Sequence, residues 1–177
     1  GFRRDAADEI REAGDGVESD VTIMTAMAGK TMKGNPRGSG YERAERDLYI
    51  EPQWAVEALI DAEPNLPEPI WDPACGTGTI PTVLKRRGPV AYGTEIALGA
   101  DFLLQPTIRR VGAIICNPPF KLAQEFIERA LGLGVDVAAF LLRLAFLEGQ
   151  ERRKLFERTP LARVLVFSKR VSMPPPG

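Results

Sequence analysis

Short apolar runs alternate with amphipathic segments through most of this 177-residue chain, and that alternation restricts the fold more than any single motif. "EPIWDPACGTGTIPTVLKRRG" reads as a strand, a glycine-containing turn and a helix that starts near Gly78, with Pro81 in its first turn. "VAYGTEI" and "VGAIICN" read as two further strands, with "GADFLLQ" between them as a loop or short strand. "KLAQEFIERALGLG" places Leu122, Phe126, Ile127, Ala130 and Leu131 on one helical face, and Gly132 and Gly134 end it. A strand "DVAAFLLRL", a helix around "GQERRKLFER" and a strand "ARVLVFS" follow. Upstream, Ala55, Val56, Leu59 and Ile60 recur at helical spacing, which predicts a helix from about Pro52 to Ala62. Strands and helices joined by short connections predict an α/β fold, a doubly wound, mostly parallel sheet covered by helices. Sheets of this kind bind ligands at the carboxyl ends of their strands.

Residues 1–45 have a different character. They mix Gly, Ser, Asp, Arg and Lys with few large apolar side chains. "DAADEIREAG" reads as one short helix and "AGKTMKGNPRGSG" as a loop. A flexible or weakly structured arm over 1–45 is therefore expected ahead of an ordered domain over 46–177.

Composition removes several kinds of chemistry. The chain has no histidine, so Ser-His-Asp and Cys-His catalysis are excluded. Cys75 and Cys116 are too few for a disulfide framework, and without histidine no zinc site or other metal is expected. They read as free thiols in a reducing, cytoplasmic setting. No apolar run approaches the ~20 residues that cross a bilayer, and the charged first twenty residues lack the apolar centre of a signal peptide. Both ends of the chain look cut. A net charge of −1 argues against binding nucleic acid through bulk electrostatics alone. The stretch 151–170 is nevertheless basic, and reads equally as a solvated helix face or a phosphate-facing patch.

Two strand ends carry the chemistry. In "DPACGTGT", Asp72 to Thr79, Gly76 and Gly78 lack a Cβ, so the backbone can turn tightly and approach a ligand closely before a helix start with free N–H groups. Glu95 ends the next strand, where a carboxylate can accept the two hydroxyls of a ribose. The third glycine of a dinucleotide fingerprint is replaced by Pro81, which disfavours a NAD-dependent oxidoreductase. At the other strand end stands "NPPF", Asn117 to Phe120. Two prolines end a strand for ordinary steric reasons. A D/N/S-P-P-aromatic pattern arises by chance in roughly one chain of this size in a few hundred, so its weight comes from its position after the glycine turn.

Taken in order, these segments resemble the class I S-adenosylmethionine-dependent methyltransferases, of the adenine-N6 DNA methyltransferase type. "RDLYIEP" resembles the N-terminal cofactor motif of that family, "DPACGTGT" its glycine-rich motif and "GTEI" its ribose-binding acid. "DFL" resembles the adenine-contacting motif and "NPPF" the catalytic tetrapeptide; the likeness covers about Arg46 to Met173. It implies S-adenosyl-L-methionine as cofactor, held by Tyr49, Ile50, Pro52, Asp72, Pro73, Ala74, Cys75, Gly76, Gly78, Thr79, Glu95, Asp101, Phe102 and Asn117. It implies catalysis by Asn117, Pro118, Pro119 and Phe120 on an exocyclic amine. Asn117 and the Pro118 carbonyl would accept its N–H groups, and Phe120 would stack on the base.

DNA is the substrate implied first, in a cytoplasmic enzyme encoded by a bacterium or phage. RNA adenine-N6 or guanine-N2 and the glutamine of a release-factor-like protein share the tetrapeptide, and an inactive cofactor-binding remnant is a further alternative. The family fold implies strand order 3-2-1-4-5-7-6 with strand 7 antiparallel. It places the strand ending at Asp72 beside the one ending at Cys116. No segment after "ARVLVFSKRVSM" supplies strand 7, so a sheet lacking that last antiparallel strand is expected, with a partner or missing segment for target recognition.

Overall fold

The protein is described from a computed structural model, which covers residues 20–26, 49–104 and 110–173. Six strands form one sheet, β1 (Asp20–Ala26), β2 (Ile70–Asp72), β3 (Ala91–Gly93), β4 (Ala113–Cys116), β5 (Val137–Leu141) and β6 (Leu161–Phe167). Among the described residues four α-helices accompany them, α1 (Gln53–Ala62), α2 (Thr79–Arg87), α3 (Ala123–Gly132) and α4 (Gln150–Arg158). The order is β3-β2-β4-β5-β1-β6, and every pairing is parallel. The α/β class is as expected, and β2 does lie beside β4. Among the described residues no helix is long and apolar enough to cross a membrane.

Alternating side chains of the central strands feed two cores, as a sheet covered on both faces requires. Ile114, Cys116, Ala138 and Phe140 pack with Phe126 and Ile127 of α3 and Leu155 of α4. Ala113, Ile115, Ala139 and Leu141 pack with Val56, Leu59 and Ile60 of α1 and Ile80, Val83 and Leu84 of α2. The helix bounds follow local chemistry. Pro52 is extended (φ −72°, ψ 140°) and immediately precedes α1. Gly78 (φ 83°) turns the chain into α2, where Pro81 occupies the first turn and needs no intrahelical donor. Leu122, expected on the buried face of α3, stands outside that helix in a short 3-10 turn and is 39% exposed.

The N-terminal arm needs correcting, and with it the vacancy in the sheet. Asp20–Ala26 is an interior strand, parallel to β5 and to β6, with Ile23 opposite both Phe140 and Val164. It fills the place between the last two strands where an antiparallel strand was expected to be missing. The physical reason is burial. Val21 and Ile23 are inaccessible in one core and Met24 lies in the other, while Thr22 and Thr25 are also fully buried. Seven residues with this pattern vanish in a window average dominated by glycine, serine and charge. The rest of the arm lies outside the described residues, including both the helix and the loop expected there.

The basic stretch after residue 150 largely serves as a solvated face. Arg153 pairs with Glu157, Lys154 with Glu151, Arg158 with Glu128 and Arg163 with Glu63. Exposed pairs of this kind contribute little to stability, about 0–1 kcal/mol each.

Replacing Ile23 by Ala is expected to lower unfolding stability by roughly 2–5 kcal/mol in a denaturant titration. A segment outside the sheet would change it by under about 0.5 kcal/mol. Gly112→Ala tests the packing before β4, because a Cβ there would meet the backbone of Pro67 and Glu68 at 2.6–2.8 Å. Backbone cannot swing aside, so a loss of about 1–3 kcal/mol is expected in the same titration.

Candidate functional site

The carboxyl ends of β2, β3 and β4 open on a cavity of about 340 Å³, within the range of small-molecule sites. Of the residues expected to hold a cofactor, Tyr49, Ile50, Pro73, Ala74, Cys75, Gly76, Glu95, Asp101, Phe102 and Asn117 line it, as does Pro119 of the tetrapeptide. Pro52, Asp72, Gly78, Thr79, Pro118 and Phe120 do not line it. Pro52 caps α1, Gly78 makes the turn into α2, and Thr79 begins that helix.

The glycine turn is tied to its neighbour strand by Glu95. One carboxylate oxygen accepts the Gly76 N–H at 2.8 Å and the other accepts from Ala97 at 3.4 Å. Cys75 N–H donates to the Thr94 carbonyl at 3.0 Å, so the turn and the end of β3 hold one another. Gly93 is required at this contact, because a Cβ there would meet the Cys75 side chain at 2.5 Å. Asp101 accepts from Leu103 N–H at 2.9 Å, which organises its loop and leaves the residue on the cavity wall. Phe102 serves both core and cavity. It is 3% exposed and meets Trp71 edge-on at 5.2 Å and Phe126 at 4.8 Å.

At the tip of β4, the Asn117 amide nitrogen donates to the Tyr49 carbonyl and to Glu51 Oε2, each at 3.2 Å. Two oxygen acceptors on one end fix which end of the amide carries nitrogen. The other end, Oδ1, is buried with no hydrogen-bond partner among the described residues. An unpartnered buried acceptor is costly and uncommon, and it marks a place where a donor is wanted. Pro119's carbonyl is taken by Leu122 N–H at 2.9 Å.

Glu51 was not singled out from sequence, although it sits inside "RDLYIEP". Its carboxylate also bonds the Thr79 side chain and the Ile80 N–H at the start of α2. Burial raises its pKa, against the lowering effect of those bonds. Met173 was missed as well: its sulfur lies 3.6 Å from the Asn117 amide nitrogen, which brings the segment after β6 onto the tetrapeptide. Nothing in the local sequence predicts a contact between residues so far apart. Ile96, Ala97, Ala100, Leu103 and Phe126 complete much of the apolar wall.

Asp72 is the most strained charge of the site. One oxygen accepts from Ala74 N–H at 3.2 Å and the other has no partner. Burial, and then the negative charge of Glu51, push its pKa well above the usual carboxylate range. Cys116 hydrogen-bonds it, and burial followed by the charge of Asp72 pushes that thiol well up. Cys75 is pushed up by burial and then by Asp72 and Glu95. Neither cysteine is set up as a thiolate nucleophile, which agrees with their reading as free thiols.

Among the described residues, the charged side chains on the cavity wall are acidic: Glu51, Glu95 and Asp101. Such a wall favours a cationic ligand and repels a phosphate. Among the described residues no cluster of acidic, histidine or cysteine side chains is able to hold a metal ion. No family model matches the chain, and neither a curated protein nor a solved structure matches it.

The raised pKa of Asp72 sets a sign for pH dependence. Between the unfolded and folded pKa values the native state holds a proton that the unfolded chain has lost. Stability from this group is therefore fully present below the unfolded value and is lost as pH rises through the folded one. Asp72→Asn is expected to flatten that decline and to raise the denaturation midpoint at pH 8 relative to the parent, measured across pH 4–9 (about the range such groups titrate in).

Proposed function

We propose that this protein transfers a methyl group from S-adenosyl-L-methionine to an exocyclic amino group, with adenine N6 in DNA as the substrate. The observation that carries this reading is the unpartnered Oδ1 of Asn117, whose amide is held by Tyr49 and Glu51 at a cavity whose charged side chains, among the described residues, are acids. The parallel sheet, with its glycine turn after β2 and its amide after β4, supports a Rossmann-like methyltransferase fold, from which the parallel β1 between β5 and β6 is a departure.

The residues present fit the cofactor. Glu95 would accept the ribose hydroxyls, Asp101 and Phe102 would meet the adenine, and the backbone from Asp72 to Gly78 would hold the methionine portion. Tyr49 and Ile50 would close the cavity. When bound, the cofactor supplies a positively charged sulfonium carrying a transferable methyl, and an acidic wall suits that charge. A dinucleotide cofactor would bring phosphates to the same acids, which disfavours it.

An aromatic amine is a weak nucleophile because its lone pair is delocalised into the ring. Asn117 Oδ1 accepts one N–H and the Pro118 carbonyl the other, which turns the lone pair toward the methyl. Bound cofactor would supply the methyl, its C–S bond breaking as the N–C bond forms, and water would take the proton that the amine loses. Fixed acceptors and orientation supply the catalysis, so no histidine is needed. A base in a duplex must first be flipped out of the stack. The setting that follows is the cytoplasm of a bacterium or phage-infected cell.

Incubation with methyl-labelled cofactor and DNA, RNA or a release-factor-like protein is the test. Label in DNA at adenine is expected, and Asn117→Ala should reduce its rate about 10²-fold or more, by analogy with loss of one positioned polar group at a reacting centre. Cofactor binding measured by calorimetry should weaken as well, since Asn117 lines the cavity, while the loss of rate should persist at saturating cofactor. Label confined to protein would overturn the choice of DNA, and absence of cofactor binding by the parent would favour an inactive remnant.

A further inference from the structure

Phe120 does not present a bare ring. It stacks on Tyr49 with centroids 5.8 Å apart and planes 28° from parallel, and the guanidinium carbon of Arg143 lies 4.3 Å from its centroid. Arg143 comes two residues after β5. The chain around it is fixed, since Leu142 N–H donates to the Met24 carbonyl at 2.9 Å and the Arg143 carbonyl accepts from Phe146 N–H at 2.8 Å. Its side chain is exposed.

Arg143, like Arg152 over Phe146, lies on a ring and not against an acid, but Arg152 also bonds Gln124. Arg86, Arg87, Arg153, Lys154, Arg158 and Arg163 each meet an acid. Among the described residues, no acid pairs with Arg143, nor with Lys121 after β4 or Lys169 and Arg170 after β6. These cations therefore stand without acid partners at the carboxyl edge of the sheet, on the side where the cavity opens, with Lys169 over the Trp54 ring at 4.1 Å. An exposed guanidinium on a half-buried ring is weakly held. It is also planar, as a nucleobase is, and its fork suits a phosphate.

We propose that Arg143 is a positioning residue: its guanidinium covers Phe120 in the free protein, yields the ring to an incoming base, and pairs with a phosphate flanking that base. The proposal rests on the nucleic-acid reading above, because a glutamine side chain of a protein brings no phosphate. Of the two neighbours Arg143 is the freer to move, since its side chain is exposed whereas Tyr49 is half-buried on the cavity wall. The basic edge lies outside the acidic cavity, so cofactor and polyanion are received by regions of opposite charge.

Binding by the full chain, saturated with S-adenosylhomocysteine, tests it with two probes: adenosine, which lacks phosphate, and a single-stranded adenine-containing oligodeoxynucleotide. For Arg143→Ala the oligonucleotide affinity should fall about tenfold. Its log-affinity against log-salt slope should become shallower by about 0.7, the loss of one phosphate contact on a single strand. Adenosine affinity should not fall, because the competing cap is gone. Arg143→Lys should keep the parent slope. Equal weakening of both probes by Arg143→Ala, or an unchanged slope, overturns the proposal while leaving the methyltransferase reading intact. A parent protein that binds neither S-adenosylhomocysteine nor oligonucleotide overturns both. Denaturation midpoints of the variants should match the parent, as expected for an exposed side chain.

Discussion

The carboxylate of Glu51 joins three parts of the chain that are distant in sequence. It accepts from the Asn117 amide at the tip of β4 and bonds Thr79 and Ile80 at the start of α2, while its own backbone continues into Pro52 and α1. A helix N-terminus has unpaired N–H groups and a partial positive charge, so a buried acid is tolerable there when it satisfies them. Removing this acid would free the Asn117 amide to rotate and leave the first turn of α2 unpaired. The fixed direction of Asn117 Oδ1, on which the proposed chemistry rests, is thus a consequence of burying one carboxylate in the right place.

That burial has an electrostatic cost, which the site shares among neighbouring acids. Glu51 raises the pKa of Asp72, and both raise those of the nearby thiols. Among the described residues no basic side chain lines the cavity to compensate. A cationic ligand would relieve the repulsion, so ligand binding and fold stability are coupled at this site. Arg143, Lys121, Lys169 and Arg170, which have no acid partner among the described residues, stand instead at the outer edge, beside Phe120 and after the ends of β4, β5 and β6. The segregation of charge by depth is what makes a small cation inside and a polyanion outside compatible in one molecule.

Much of this was legible from local sequence. The glycine turn is fixed by Gly76 and Gly78 at positive φ, conformations that residues with a Cβ avoid. Pro81 is acceptable only near a helix start, which located α2 closely. The strand ends at Asp72 and Cys116 were marked by loss of apolar character, and their adjacency followed once the parallel order was assumed. The strand β1 was not legible, because its short apolar pattern is surrounded by polar sequence and its partners lie beyond residue 136. Arg143 and Met173 were invisible for the same reason: each acquires meaning only from a neighbour in space.

The sequence by itself determined which chemical groups were on hand: no histidine, a glycine turn, an acid after β3 and an amide at the end of β4. It also determined the α/β class, since strand and helix periods are local properties of the chain. Tertiary structure decided how those groups are used. It placed Asp20–Ala26 in the middle of the sheet, turned Asn117 by means of Glu51, and laid Arg143 over Phe120. Periodicity reports which face of an element is buried, whereas hydrogen-bond partners and charge neighbours are set by packing between segments that the chain order keeps apart.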